Sequence, residues 1–302
     1  IRQDPNLVEI STKYFILTYI KGQPFIGPRV DPMKNLKITL NSREKDRNKD
    51  WYVGHPEARN LGGNMISVDM GIPKNLEKGL YSLEGFASFD DSKSKLILDD
   101  GTLGDPPENH LDIYVFMYDK DFKQALLDYF KMTGAPALIP RYALGNWWSR
   151  NITYSDTTLY QLIRNFERNK IPLSVMLFDH DWHYRDVDEH KALKSGYTFN
   201  KNLFIDPEKM IEDLHKRGIR VGLCVNPTNG IYPHEMYYKQ ASEALGITES
   251  KIILFDPLNP KLLDVMFKLL LHPLEAQGVD FFWNDSMGDN DINKLWALNH
   301  YM

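Results

Sequence analysis

Trp147-Trp148-Ser149-Arg150-Asn151 closes the first of four strand-like runs in the second half of the chain. Its reading decides how that half is built. An open doubly wound sheet carries a glycine-rich phosphate turn at this place, directly after its first strand. Here the place holds two tryptophans, a serine, an arginine and an asparagine, and no glycine. Nucleotide binding is therefore disfavoured, and a closed parallel barrel becomes the architecture to test. A complete (β/α)8 barrel takes about 250 residues. Four β/α units follow residue 140, enough for an open sheet or for the first half of such a barrel.

The units are visible as alternating periodicities. Tyr142 to Ser149 reads as a strand, and Ser155-Asp156 caps a helix whose apolar residues Leu159, Leu162, Ile163 and Phe166 fall at i, i+3, i+4 and i+7. Leu173 to Asp179 is the second strand. Asp206-Pro207 opens the next helix with a cap and a proline in its first turn, and Lys216-Arg217-Gly218 stops it. Ile219 to Val225 is the third strand. Asn259-Pro260 starts another helix, which His272-Pro273 is expected to kink or end. Val279 to Asp285 is the fourth strand, and a helical tail runs to Met302. Repeated units of this kind build a parallel sheet with right-handed crossovers.

Upstream the period is different. Tyr14 to Ile20, Leu80 to Phe89 and Leu111 to Tyr118 are β-prone runs separated by Gly, Pro and Asn. The last is apolar on both faces and reads as a central strand. Ser42 to Asp50 mixes charges of both signs and reads as a solvated loop. Short strands with turns between them predict an antiparallel β-sandwich. Phe122, Ala125, Leu126, Tyr129 and Phe130 then form one helix face, ended by Thr133-Gly134-Ala135-Pro136. The expected organisation is a β-sandwich over 1–118, a connecting helix and turn over 119–140, and the half barrel over 141–302.

Composition sets the outer bounds. Lys+Arg 36 against Asp+Glu 41 gives a formal charge of -5, a poor match to nucleic acid. Sixteen Tyr, 15 Phe and 6 Trp supply either a large core or stacking platforms for flat ligands. No apolar run approaches the ~18 residues of a membrane span. The lone Cys224 sits in an apolar run and reads as an inert core thiol. Ile1-Arg2-Gln3-Asp4-Pro5 is no signal peptide and lacks an initiator Met, so the chain reads as trimmed or as starting within a longer protein. These features favour the cytoplasm. Nothing sets the oligomeric state.

The chemistry gathers at strand ends. Val279, Phe281, Trp283 and Asp285 share one face of the fourth strand. Asp285 falls at its C-terminal end, where parallel α/β folds place active sites, whereas Asp280 near the start fits a stabilising role. An indole beside a carboxylate suits a sugar ring; the competing reading makes Asp285 a cap for the following helix. The second strand ends Phe178-Asp179-His180-Asp181-Trp182-His183. Its polar density points to sugar binding, with a metal site at His180, Asp181 and His183 as the rival. The bland alternatives are loop packing for Trp182 and His183 and an ion pair from Asp179 to Arg185 or Arg150. The first strand adds Trp148 and Arg150, and the third ends in the amide-bearing turn Asn226-Pro227-Thr228-Asn229. Two matches to the glycosylation pattern, at Asn151 and Asn284, lie at strand ends and read as chance.

Leu144-Gly145-Asn146-Trp147-Trp148-Ser149-Arg150, Ile171-Pro172-Leu173 running into Asp179-His180-Asp181-Trp182-His183, and Gly278-Val279-Asp280-Phe281-Phe282-Trp283-Asn284-Asp285 together resemble glycoside hydrolase family 31. That family contains α-glucosidases and α-xylosidases. Gly79 to Ser92 is similar to the end of the family's N-terminal β-sandwich. The resemblance implies that Asp285 is the catalytic nucleophile with Trp283 beside it. It implies that Asp179 binds hydroxyls of the sugar in the −1 subsite, with His180 as its pocket neighbour, and that Trp148 and Arg150 line the same pocket. The implied chemistry is retaining: one carboxylate attacks C1 and a second protonates the departing oxygen. In the family that acid lies on a later strand, which places it beyond Met302. No cofactor or metal is implied, and the implied partner is an oligosaccharide or small glycoside. The chain departs from the family at Asn151, Asn226 and Ser286-Met287-Gly288, all next to the pocket. The alternative is a carbohydrate-binding protein whose barrel site no longer cleaves.

Overall fold

The computed structural model describes residues 1–23, 25, 36–42, 50–63, 76–185, 195–248, 251–284 and 292–301. The chain separates into two compact units, Ile1–Leu96 with Gly104–Ala137 and Ile97–Leu103 with Leu138–Met302. Among the described residues no helix is long and apolar enough to cross a membrane.

The first unit is built on antiparallel pairing. Strands β1 (Arg2–Gln3), β2 (Leu7–Ser11), β3 (Phe15–Ile20), β4 (Lys37–Leu40) and β5 (Asp50–Trp51) form one sheet in sequence order. β6 (Phe86–Asp90) pairs with β9 (Ile113–Met117), and β7 (Leu96–Ile97) with β8 (Leu103–Gly104) at two of the points where the chain passes between the units. Ile38, Leu40 and Trp51 of the first sheet share one apolar cluster with Phe86 and Met117 of the second. The run from Leu80 is a strand only after Gly85, whose φ of 84° turns the chain at the entry to β6. β9 hydrogen-bonds to β6 alone among the described strands. A buried carboxylate holds this unit together. Glu57 takes the Ser88 amide at 3.2 Å, the Ser88 hydroxyl and the Trp51 indole N–H at 3.3 Å, and pairs with Lys78 at 3.5 Å. Helix α1 (Phe122–Thr133) starts on an Asp121 cap and stops at Gly134. Of the charged loop over 42–50, residues 43–49 lie outside the described residues.

The second unit carries a four-stranded parallel sheet in the order β10 (Trp147–Ser149), β11 (Val175–Phe178), β12 (Arg220–Val225), β13 (Phe281–Asn284). Helices α2 (Asp156–Arg168) and α3 (Pro207–Lys216) cover one face. Leu159 and Ile163 of α2 and Met210, Ile211 and Leu214 of α3 bury against Met176, Phe178, Val221, Leu223 and Val225. Alternation sends Val175, Leu177, Gly222 and Cys224 to the other face. The first strand is shorter than Tyr142 to Ser149. Arg141–Leu144 is a 3-10 turn, and Gly145 follows it tight against Ser174, where a Cβ would overlap the serine side chain.

Helix α4 (Tyr238–Leu245) has no counterpart among the sequence expectations. α5 (Pro260–Met266) begins on Asn259, whose side chain accepts the amides of Lys261 at 3.1 Å and Leu262 at 3.2 Å. His272-Pro273 does not end this helix. Phe267–Leu271 widens to a π-turn, in which the His272 amide reaches Phe267, and the helix continues as α6 (His272–Ala276). The wider turn accommodates a residue that has no amide hydrogen and whose ring crowds the carbonyl four residues back. The tail, α7, spans Ile292–Tyr301.

Candidate active site

The sequence-predicted site residues of the second unit lie in or just after strands of the parallel sheet, so the sheet's register sets their relative heights. Phe178 pairs with Leu223, and Leu223 with Phe282. Asp179, one residue on, is therefore level with Cys224 and Trp283. One strand separates β11 from β13, which spaces Asp179 about 10 Å from Trp283 along the sheet. Asp179 directly follows Phe178, the last residue of β11.

That face is aromatic. Trp147 of β10 meets Phe281 at 5.2 Å and Trp283 at 6.1 Å between ring centroids, and Tyr142 stacks on Phe281 at 6.1 Å. β10 and β13 are the two edges of the sheet, so these rings span its whole width. Gly222 makes this possible: a Cβ there would overlap the Phe281 ring. Trp283 remains 46% exposed and presents a flat face at the C-terminal end of the sheet.

The structure separates the two adjacent tryptophans. Trp148, expected in the pocket, faces the helices: its indole N–H donates to the Tyr154 hydroxyl at 2.7 Å, and its ring packs edge-on against Phe166 at 5.3 Å. Trp147, not Trp148, is the one that meets Trp283. Strand alternation carried that signal, since neighbouring residues point to opposite faces.

Arg150 is exposed just past β10. Asn226 is buried at the end of β12, and its side-chain oxygen is spent inside the following turn, on the Thr228 amide at 3.3 Å and the Thr228 hydroxyl. An Asn before a proline-led turn is an ordinary cap. The backbone of His180 opens the 3-10 turn His180–Trp182; its side chain lies outside the described residues. Asp285 also lies outside them, directly after Asn284, the last residue of β13.

The polar cluster after β11 is a brace. Asp181 accepts from the Thr153 hydroxyl, in the loop after β10, and pairs with Arg185. Burial pushes its carboxyl up, but the Thr153 and Arg185 contacts outweigh that and hold it below the usual range. His183 is buried, with Nδ1 3.0 Å from the Tyr184 carbonyl. Among the described residues, no three His, Cys, Asp or Glu side chains stand together as a metal site. Asp280, at the opposite end of β13, binds His215 at 2.7 Å, Arg220 at 3.0 Å and the Val221 amide at 2.8 Å, a network that ties α3, β12 and β13 together.

Comparison with known proteins gives this arrangement a context. Residues 136–299 match the model of the glycosyl hydrolases family 31 TIM-barrel domain. An α-xylosidase of Saccharolobus solfataricus is 26% identical over 176 residues, 58% of this chain and 23% of its own length. The α-xylosidase XylQ of Lactiplantibacillus pentosus is 32% identical over 117 residues, 38% of this chain and 14% of its own length. The chain thus matches less than a quarter of the length of these curated relatives. A family 31 dextranase of Flavobacterium johnsoniae, solved with isomaltotriose, superposes on 97% of this chain and 41% of its own, with a TM-score of 0.60 at 18% identity. That likeness speaks for the fold.

Proposed function

The chain belongs to glycosyl hydrolases family 31, and we propose that it forms the part of a retaining α-glycosidase that carries the nucleophile and the −1 sugar pocket. The observation that carries this reading is the family match running through four parallel strands whose C-terminal ends bear Asp179, Asn226 and, after Asn284, Asp285. The architecture proposed is an N-terminal β-sandwich over 1–118, a connecting helix over 119–140 and half of an eight-stranded barrel over 141–302. Aromatic contact between the two edge strands supports the barrel, because it fits a sheet that curls toward closure.

In the mechanism proposed, the sugar ring lies against Trp283 with Asp179 on its hydroxyls. Asp285 attacks C1, forming a glycosyl–enzyme ester. A second carboxyl group protonates the departing oxygen, then takes the proton from the water that attacks the ester. The two carboxyls of a retaining pair stand roughly 5–5.5 Å apart. Asp179, about two strand spacings from β13, fits a hydroxyl ligand better than that acid, and Asp181 is engaged by Thr153 and Arg185. The acid is therefore assigned to strands beyond the four. The substrate proposed is an α-xyloside or α-glucoside; the named relatives include α-xylosidases from an archaeon and a lactobacillus.

The test is covalent trapping of the full-length polypeptide with a fluorinated α-glycosyl fluoride, followed by peptide mapping. Label is expected on the peptide that contains Asp285. Label on another carboxylate overturns the assignment, and saturable sugar binding with no label favours a non-catalytic carbohydrate-binding protein.

A further inference from the structure

Trp182 sits in the loop after β11, at the rim where side chains are ordinarily wet, yet it is only 1% exposed. Three polar contacts fix it. Its amide donates to the Asp179 carbonyl at 3.4 Å, its carbonyl accepts from the Asn200 amide at 2.9 Å, and its indole N–H donates to the Cys224 carbonyl at 2.8 Å. The ring is held by Phe199 at 5.0 Å and His183 at 5.2 Å, and Gly196 leaves the room that His183 occupies.

The third contact is the informative one. Cys224 is level with Asp179, because Phe178 pairs with Leu223 in the parallel register. β11 leaves the sheet at Phe178. The indole N–H thus reaches a β12 carbonyl beside the point where main-chain pairing stops, through a turn whose other end is Asp179 itself. Trp148 also donates from its indole, but to a tyrosine hydroxyl on the helix side.

We propose that Trp182 is a positioning residue that sets the Asp179 carboxylate by fastening the end of β11 to the end of β12. The proposal rests on the reading of Asp179 as a ligand of the sugar hydroxyls. Loss of the indole N–H frees the turn and leaves Asp179 displaced, so sugar binding weakens through Asp179.

The test is a double-mutant cycle in the full-length polypeptide, with kcat/KM measured on 4-nitrophenyl α-D-xyloside or α-D-glucoside, whichever is turned over faster. Trp182→Phe is expected to lower kcat/KM about tenfold, mainly through KM, and to cost less than about twofold once Asp179→Asn is present, as for residues that act through one group. An equal loss in both backgrounds overturns the proposal, because a general loss of packing is indifferent to residue 179. So does a lowered melting temperature with unchanged kcat/KM. If Asp179→Asn alone leaves kcat/KM unchanged, the reading of Asp179 fails and takes the proposal with it, a result distinct from additivity. Should Trp182→Phe not fold, Phe199→Leu loosens the seat of the ring without touching Asp179, and the same cycle decides.

Discussion

Gly222 shows how one missing Cβ shapes the candidate pocket. With hydrogen in that place, the Phe281 ring lies over β12 and reaches Trp147 on the far edge of the sheet. Gly222→Ala is therefore expected to destabilise by about 1–3 kcal/mol through overpacking, read as a shift in urea midpoint. Partial rescue by Phe281→Leu in the same background confirms the cause; an unchanged midpoint for Gly222→Ala refutes it. Asp181 gives a pH signature. Its carboxyl is held below the usual value of 3.8, chiefly by Thr153 and Arg185 working against burial. The unfolded chain then binds a proton more readily, so stability rises with pH between the native and unfolded pKa values. The contribution is present in full above the unfolded pKa and is lost as pH falls through the lower, native one. Asp181→Asn should cost more stability at pH 6 than at pH 3, and equal costs at the two values refute the assignment. The types of residue at the rim were legible in the sequence, because carboxylates and indoles at strand ends stand out against apolar runs. Their facing was less so. Trp147 and Trp148 are chemically identical, and only strand parity, fixed by where β10 begins after Gly145, separates the pocket from the helix layer.

At the scale of elements, caps and stops were the most readable features. Asp206-Pro207, Asn259-Pro260 and Ser155-Asp156 each open a helix where the sequence placed one. Ser155 completes a reciprocal pair: its side chain accepts the Thr158 amide while the Thr158 hydroxyl accepts the Ser155 amide at 2.8 Å. Ser155→Ala should cost about 1 kcal/mol in chemical denaturation, and Ser155→Asp, which restores the acceptor, should recover most of it. The elements misjudged were those in which a tertiary contact overrules a local signal. Tyr142 looks like strand, but Gly145 must press against Ser174, and the chain folds into a 3-10 turn before β10. Helix α4 escaped notice because its eight residues are too few to establish a period.

For the whole molecule, the decisive arithmetic concerns carboxyl groups and sheet edges. The parallel sheet ends on β10 and β13, each paired on one side only among the described residues, and Leu144 beside β10 is 76% exposed. An unpaired apolar edge is costly and invites further strands. A closed barrel removes both edges and brings its strand ends to one mouth. The retaining chemistry proposed imposes the same demand, since it needs a proton donor as well as a nucleophile. Asp179 is level with Trp283 but a strand removed from β13, and Asp181 is committed to Thr153 and Arg185. The proposal gives neither of them the donor's role. Residues 1–302 produced alone should therefore release no 4-nitrophenol from 4-nitrophenyl α-D-xyloside or α-D-glucoside above an Asp285→Ala control, although Trp283 and Asp179 would be present to meet the sugar. A longer polypeptide that adds the remaining barrel strands should hydrolyse one of the two, with the activity abolished by Asp285→Ala. Turnover by residues 1–302 as a monomer, lost on Asp179→Asn, would instead make Asp179 the acid and reverse the assignment made for it.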